Sequence, residues 1–171
     1  MRVFAVVGPS GAGKDTVINA VRALRPDLSI LRRIITRPEC PGDEPFEGVD
    51  DATFAARHAA GEFALVWEAH GLRYAIPKPA AGTVLFNGSR KRLADAARAF
   101  PGLEVIHITC APAIRAERLA QRGRETAADI AARLTRDAPL PPGLTVHEID
   151  NGGELSAAVD AVVAVLDRQI G

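Results

Sequence analysis

The residues most able to do chemistry follow an apolar run at the start of the chain. Glycine and lysine occur there in the pattern G-x-x-x-x-G-K, which is typical of loops that bind nucleotide phosphates. Glycines let successive backbone N–H groups point inward at an anion, and a helix that begins at the lysine adds partial positive charge. We predict that the phosphates of ATP bind to Gly8, Pro9, Ser10, Gly11, Ala12, Gly13, Lys14, Asp15 and Thr16, with Lys14 also acting in catalysis.

Asp15 departs from this pattern, because the position after the lysine usually holds serine or threonine. Carboxylate oxygens are hard ligands that suit Mg²⁺, so we predict that Asp15 binds the metal, directly or through a water. Lys14 is one of only three lysines among 21 basic residues, and the others are arginines. A lysine at this point of an arginine-rich chain indicates that a compact ammonium group is favoured there.

The elements on either side of the loop are those that the pattern requires. Residues 3–7 form a short apolar run typical of a buried parallel strand. After the loop, Val17, Val21 and Leu24 recur at helical spacing. A glycine-rich turn without a ligand is the alternative interpretation. The order of strand, loop, lysine and helix favours the phosphate site over that alternative.

Beyond this helix, predicted strands and helices alternate. Residues 28–35 are predicted to form one strand, and further strands are predicted near 83–86, 104–109 and 144–149. A helix that starts with Pro112 should end near Gly123, and the run from Thr126 to Asp129 resembles a capping box. The alternation predicts a single α/β domain over residues 1–171, with a three-layer, parallel-sheet P-loop core.

Two segments interrupt this alternation. Residues 38–77 hold an acidic loop rich in proline and glycine, a short helix capped by Asp50 or Asp51, and a predicted β-hairpin over 62–76. We interpret 38–77 as an inserted acceptor-binding lobe and 120–136 as a small lid. This division suits phosphoryl transfer, because such a site must close to exclude water.

Arginines on two successive helices could supply the positive charge that a transferring phosphoryl group needs. They recur along the helix that ends near Gly123 and on the helix after it. A solvated helix face is the alternative, but their closeness to a glycine break in a P-loop chain favours a role in the site. We predict Arg122, Arg124 and Arg133 as catalytic lid arginines and Arg118 as a cofactor-binding residue.

A second group of polar side chains could bind the acceptor. The guanidinium fork matches phosphate geometry, and a phenol adds a single donor. Asn87 and Arg90 follow a predicted parallel strand, at the edge where open α/β sheets bind ligands. The predicted substrate-binding residues are Arg33, Arg37, Glu44, Tyr74, Asn87 and Arg90. For Glu44 two interpretations stay open, contact with a sugar hydroxyl or a solvated acidic loop.

The composition excludes several classes of function. The 21 basic and 21 acidic residues cancel, whereas a general nucleic-acid or membrane-surface binder would carry a basic excess. Cys40 and Cys110 are too isolated to form a disulfide framework or a metal site. With no apolar stretch of about 20 residues and no signal-peptide pattern, we expect a cytoplasmic enzyme with a small-molecule substrate, either monomeric or homodimeric.

Several of these motifs together resemble the guanylate kinase superfamily in their order and approximate spacing. They are the glycine-rich loop, Thr36-Arg37-Pro38, Gly61-Glu62-Phe63, Tyr74 and the run from Arg118 to Gly123. The resemblance implies a guanylate kinase-like fold for the chain. Two departures are informative, because Leu65 stands where that superfamily carries a base-reading glutamate, and Cys40 where it carries a second acceptor-phosphate arginine. The resemblance therefore implies that donor-phosphate handling is kept, whereas guanine recognition is lost.

Within that superfamily the chain looks most like the ribose 1,5-bisphosphate phosphokinases of bacterial phosphonate degradation. Asp15 and the run Asn87-Gly88-Ser89-Arg90 are the most specific marks of this likeness. It implies phosphorylation of a phosphosugar, ribose 1,5-bisphosphate, to 5-phosphoribosyl 1-diphosphate, with ATP and Mg²⁺. Two alternatives stay open, namely a guanylate kinase with atypical base recognition and a non-catalytic binding module of the same fold.

Overall fold

The computed structural model describes residues 1–9, 11–39, 46–123, 126–135 and 140–168. In chain order its elements are β1 (Arg2–Val7), α1 (Lys14–Leu24), β2 (Ser29–Leu31), β3 (Arg33–Ile35), β4 (Phe46–Gly48), α2 (Asp51–Ala59), β5 (Phe63–Ala69), β6 (Leu72–Pro77), β7 (Thr83–Asn87), a 3₁₀ turn (Arg90–Arg92), α3 (Leu93–Ala99), β8 (Glu104–Thr109), α4 (Pro112–Arg122), α5 (Ala127–Thr135), β9 (Thr145–Asp150) and α6 (Leu155–Asp167). The strands form two sheets that share no strand.

The larger sheet has five strands in the order β2-β7-β1-β8-β9, and every neighbouring pair is parallel. Helices cover both faces of this sheet. Alternate residues of β1 point to opposite faces, so β1 contacts helices on both sides. Phe4 and Val6 pack with α1 and α6, whereas Val3, Ala5 and Val7 pack with α3. All five are at most 6 % exposed, and burying a valine or phenylalanine contributes roughly 1.5–3 kcal/mol. The predicted three-layer α/β core is confirmed.

The smaller sheet has the order β4-β3-β6-β5 and mixes one parallel pair with two antiparallel pairs. Strands β5 and β6 form the predicted hairpin, which turns at His70 and Gly71 with φ angles of 53° and 74°. Positive φ at both turn residues is typical of the type I′ turn that matches strand twist. Helix α2 packs on this sheet through Phe54, which is fully buried.

The prediction of one strand over residues 28–35 is wrong, because the structure divides this segment at Arg32. Ile30 and Leu31 pair with β7 in the larger sheet, whereas Ile34 and Ile35 pair with β6 in the smaller one. Residues 29–31 and 33–35 both have the composition of a strand, and they differ only in the strand with which each pairs. Nη2 of Arg32 donates a hydrogen bond of 2.7 Å to the Phe46 carbonyl oxygen beside this change of sheet.

Helix ends follow the predicted capping signals. The Asp50 carboxylate accepts a hydrogen bond of 2.7 Å from the Thr53 amide at the start of α2. Thr126 and Asp129 bond reciprocally, each side chain accepting from the other's backbone amide. Helix α4 begins with proline and ends at Gly123, where φ is 65°. None of the helices in the described ranges is long and apolar enough to span a bilayer.

A charged cluster ties the last helix to the amino-terminal edge of the larger sheet. Nη2 of Arg2 lies 2.9 Å from Oε2 of Glu104, and Nε2 of His147 lies 3.0 Å from Oε1 of the same carboxylate. Nη1 of Arg2 also donates to the carbonyl oxygens of Leu166 and Arg168 at the end of α6, at 3.2 and 2.7 Å. Burial alone would raise the pKa of the Glu104 carboxyl, but the hydrogen bonds from His147 and Arg2 together outweigh it and lower the pKa below 4.5.

We expect Glu104→Gln to flatten the dependence of unfolding free energy on pH in the acid range. Because the pKa of Glu104 is lower in the folded chain than its ordinary value of 4.5, its contribution is complete above pH 4.5 and is lost as the pH falls below that value. Urea unfolding of both proteins between pH 3 and 7 measures the difference. The matched control is Glu117→Gln on the exposed face of α4, and an equal effect of the two substitutions would contradict the prediction.

Candidate phosphate-binding site

The loop between β1 and α1 has the geometry of an anion-binding turn. Gly11 and Gly13 adopt φ angles of 82° and 85°, which side-chain-bearing residues rarely accept. The Ala12 amide donates to the Pro9 carbonyl oxygen at 3.2 Å, and α1 then starts at Lys14. The loop therefore leads into a helix N-terminus, as predicted for a nucleotide phosphate site. Ser10, another predicted member of the loop, lies outside the described residues.

Neighbouring elements leave no room for larger residues at the three loop glycines, and at Gly11 a Cβ atom would lie 2.9 Å from the Arg115 carbonyl oxygen of α4. A Cβ atom at Gly8 would lie 2.5 Å from the Ile108 carbonyl oxygen of β8. A Cβ atom at Gly13 would lie 2.5 Å from Nδ2 of Asn151, just past β9. These contacts are closer than real Cβ atoms allow, so packing requires glycine at each position. At Gly11 and Gly13 the positive φ requires it as well.

Arg118 and Asn151 brace the loop from the side of α4 and β9. Nη1 of Arg118 donates to the carbonyl oxygens of Gly11 and Ala12, each at 3.2 Å, and Nη2 donates to the Asn151 carbonyl oxygen at 2.7 Å. Nδ2 of Asn151 donates to the Ala12 carbonyl oxygen at 2.9 Å. These bonds hold the Gly11 and Ala12 carbonyl oxygens on the side of the loop that faces α4 and the end of β9. Arg118 was predicted as a cofactor-binding residue, and any direct contact with a nucleotide stays a prediction.

A cavity of about 410 Å³ opens beside this brace. Its wall includes Gly11, Gly13, Thr16, Gln121, Gly153 and Leu155. The cavity borders the loop and the first turn of α1, so a nucleotide whose phosphates occupy the loop could extend into it.

Asn151 is a functional candidate that the sequence analysis missed. It is only 4 % exposed and directly follows β9, at the carboxyl-terminal edge of the parallel sheet. Asn151 follows β9 as Asn87 ends β7, and both lie at the edge where open α/β sheets bind ligands. The signal was therefore present in the sequence, as an asparagine before two glycines.

Asp15 and Asn87 meet where α1 begins and β7 ends. Strands β1 and β7 pair in register from Arg2 to Val6, which brings Asn87 beside the end of β1. Nδ2 of Asn87 donates a hydrogen bond of 2.9 Å to Oδ1 of Asp15. Asn87 is 7 % exposed, whereas Asp15 is exposed. Sequence reasoning assigned these two residues to different ligands, and the structure joins them.

The donor set around Asp15 fits Mg²⁺ held mainly by substrate. Within the part of the chain that the structure describes, histidine, cysteine and acidic side chains do not gather into a group of three or more that could hold a metal. Mg²⁺ is commonly bound by one or two carboxylates, with phosphate oxygens and waters completing its coordination. A single exposed carboxylate beside a phosphate loop matches that arrangement.

The predicted acceptor residues lie on the smaller sheet and at the end of β7. Arg33 begins β3, and the Arg37 guanidinium lies 4.5 Å from the centroid of the Phe46 ring. Tyr74 on β6 stacks on Trp67 of β5, with ring centroids 5.3 Å apart and planes at 10°. Arg90 starts the 3₁₀ turn that follows Asn87-Gly88-Ser89.

The β5–β6 hairpin and the end of β7 line the same cavity. Leu65 and Trp67 of β5 line the same small cavity as Asn87, Gly88 and Ser89. The structure thus brings the smaller sheet beside the Asp15–Asn87 contact. Glu44 lies outside the described residues, and its contact with a sugar stays a prediction.

The lid arginines are located only by their backbone. Arg122 ends α4 and Arg133 lies on α5, two helices that pack against each other. Their side chains, and Arg124 altogether, lie outside the described part of the chain, so their roles stay predictions. Arg115 on α4 is only 9 % exposed, so the solvated-face interpretation does not hold for this position.

Comparisons with known proteins give close sequence relatives. The chain is 45 % identical over 175 residues to ribose 1,5-bisphosphate phosphokinase PhnN of Ruegeria sp., covering 98 % of this chain and 92 % of the relative. It is 46 % identical over 167 residues to the protein of the same name from Brucella melitensis, covering 92 % and 87 %. No protein-family model matches the sequence.

Solved structures give more distant neighbours. Guanylate kinase of Anaplasma phagocytophilum superposes with a TM-score of 0.66 over 96 % of this chain and 84 % of that one. Its sequence identity is 16 %, so this likeness concerns the fold alone. The predicted guanylate kinase-like fold is thereby confirmed.

Proposed function

This chain belongs to the ribose 1,5-bisphosphate phosphokinase family, and from that premise we propose that it transfers the γ-phosphate of ATP to ribose 1,5-bisphosphate. The products are 5-phosphoribosyl 1-diphosphate and ADP. The observation that carries the proposal is 45 % identity over 98 % of the chain to a relative of that name. The braced phosphate loop, with Lys14 at the start of α1, supports it independently.

The acceptor chemistry needs little from the protein beyond positioning and charge. A phosphate monoester has its second pKa near ~6, so its oxygen is a competent nucleophile at neutral pH without a general base. Lys14 and the loop amides would bind the β- and γ-phosphates and offset the charge that develops during transfer. Mg²⁺, held by Asp15 with phosphate oxygens, would supply further charge neutralisation. Arg118 and Asn151 would keep the loop in its binding conformation.

The acceptor would lie between the smaller sheet and the end of β7. Arg33, Arg37, Tyr74 and Arg90 would hold its phosphates, and Arg122, Arg124 and Arg133 would approach from the lid. Chain connections between the sheets run through Arg32 and residues 78–82 and so delimit residues 33–77. The lobe proposed over residues 38–77 would therefore move together with β3, which belongs to the same sheet. Closure would exclude water and prevent wasteful hydrolysis of ATP.

A guanylate kinase with atypical base recognition is the alternative function. Leu65 occupies the position of the base-reading glutamate and packs against the apolar cluster of β1, β7 and α3. An aliphatic side chain offers guanine neither a donor nor an acceptor. A site that hydrogen-bonds a polar group of its substrate uses that bond to select the substrate. The absence of the base-reading glutamate therefore argues against GMP as acceptor.

We expect ATP-dependent ADP release with ribose 1,5-bisphosphate and none above background with GMP. Parallel assays at equal acceptor concentrations measure this, and phosphorus NMR should detect the new diphosphate linkage. Ribose 5-phosphate, which lacks the nucleophilic 1-phosphate, is the matched control. Phosphorylation of GMP with no turnover of the sugar bisphosphate would overturn the proposal.

A further inference from the structure

Asp15 and Asn87 differ from the usual metal-binding residues of P-loop proteins in which position carries the carboxylate. In P-loop nucleoside triphosphatases the serine or threonine after the lysine contacts Mg²⁺, and an aspartate at the end of another strand provides the carboxylate. In this chain the carboxylate is on the loop, at Asp15. The residue that ends β7, the strand next to β1, is the neutral Asn87.

We propose that Asp15 and Asn87 serve as this metal-binding pair, with the carboxylate on the loop and the neutral group on the strand. Asn87 is then a positioning residue for the Asp15 carboxylate. The proposal rests on the proposed function insofar as that function uses a Mg²⁺-bound nucleotide. It adds that the departure at position 15 and the asparagine at position 87 form one functional unit. The class of ligand that the pair serves is a divalent cation bound to nucleotide phosphates.

The hydrogen bond fixes the orientation of both groups. An ionised carboxylate only accepts hydrogen bonds, so the Asn87 amide must present Nδ2 to Oδ1 of Asp15. Asn87 sits at the end of a central strand and is 7 % exposed, so it has little freedom to turn away. An exposed aspartate on the first turn of a helix would otherwise populate several rotamers. The amide therefore holds one carboxylate oxygen and orients the other.

The neutral amide also keeps the charge of the site at one carboxylate. An aspartate at position 87 would place a second anion about 3 Å from Asp15, and like charges at that distance disfavour ionisation of both. Asparagine has nearly the same shape as aspartate and donates where aspartate cannot. The pair is thus complementary, because a carboxylate at one position requires a non-acidic partner at the other.

A set of variants tests this pair through nucleotide binding without any acceptor. Calorimetry would measure the ADP dissociation constant with Mg²⁺ and with EDTA. The ratio of the constant in EDTA to the constant in Mg²⁺ reports the metal contribution and exceeds one when the metal tightens binding. We expect Asp15→Thr to reduce that ratio about 10–100-fold, and Asn87→Leu to reduce it about tenfold, as loss of outer-sphere partners usually does. Asn87→Leu should have no further effect in the Asp15→Thr background, because it has no carboxylate left to orient.

The reciprocal exchange is the decisive member of the set. Asp15→Thr with Asn87→Asp restores a hydroxyl on the loop and a carboxylate on the strand, and should recover most of the ratio lost in Asp15→Thr alone. The matched control is Asp15→Thr with Ala23→Asp, which adds a carboxylate at an exposed position two turns further along α1 and should recover nothing. Melting temperatures with EDTA confirm that each variant folds.

Three results would overturn the proposal. They are an exchanged pair no better than Asp15→Thr alone, equal losses from Asn87→Leu in both backgrounds, and a wild-type ratio near one. If the exchanged pair fails to fold, the comparison of Asn87→Leu in the two backgrounds still decides. Failure of the sugar phosphate as acceptor would overturn the proposed function and leave these binding results unaffected.

Discussion

Replacing Lys14 with alanine is expected to lower kcat about 10³-fold, with a smaller effect on ADP binding. The estimate follows from the loss of one preorganised cation from charge that develops on the transferring group. Lys14 opens α1 directly after Gly13, so its ammonium group starts from the anion-binding end of the helix. The measurement is steady-state turnover of Mg·ATP with ribose 1,5-bisphosphate.

Two controls make the Lys14 result interpretable. Lys14→Arg keeps the charge but replaces a compact ammonium with a planar fork, and we expect it to restore only part of the rate. Lys91→Ala removes another of the three lysines from an exposed position in the 3₁₀ turn. It should leave kcat within about twofold and, like most surface substitutions, change stability little. Full turnover by Lys14→Ala with an intact fold would refute the phosphate-loop mechanism.

Replacing Arg118 with alanine is expected to weaken ATP binding about tenfold or more and to lower stability by about 2 kcal/mol. The guanidinium donates to three backbone carbonyls, those of Gly11, Ala12 and Asn151. Each part-buried carbonyl that loses its partner carries a desolvation cost of roughly 1–3 kcal/mol unless water replaces the bond. Calorimetric titration with ADP and urea unfolding measure the two effects.

Gln121→Ala is the matched control for Arg118→Ala. Gln121 lies on the same helix, one turn later, and lines the same cavity beside the loop. If Arg118 acts as a brace, the glutamine variant should change ADP affinity much less. Equal losses from the two variants would show that the cavity wall, and not the brace, governs affinity. Arg118→Lys should fall between wild type and alanine, because one ammonium cannot reach three carbonyls in the same geometry.

The phosphate loop was predictable from sequence because its signal is local. Two glycines with positive φ, a lysine and a following amphipathic helix lie within one short segment. The same holds for the Asp50 cap, the Thr126–Asp129 capping box and the β5–β6 hairpin. In each, the determining residues are at most a few positions apart, so tertiary structure does not need to be known.

The division at Arg32 could not be predicted in the same way. Ile30 and Ile34 have the same preference for strands, and nothing within residues 28–35 indicates that one joins β7 and the other β6. The pairing is decided by partners that are remote in sequence, Leu85 for Ile30 and Ala75 for Ile34. Composition therefore predicted strand structure for this segment but not its division between two sheets.

Periodicity and turn chemistry act over a few residues, so the nucleotide phosphate loop and the α/β core could be predicted from the amino-acid sequence. The distant side chains that complete the loop became known only from the folded chain. Asn151 reaches Ala12, Arg118 reaches Gly11, and Asn87 reaches Asp15 across 139, 107 and 72 positions of sequence. The physical reason is that parallel strands bring their carboxyl ends to one edge, where residues remote in sequence become hydrogen-bond partners.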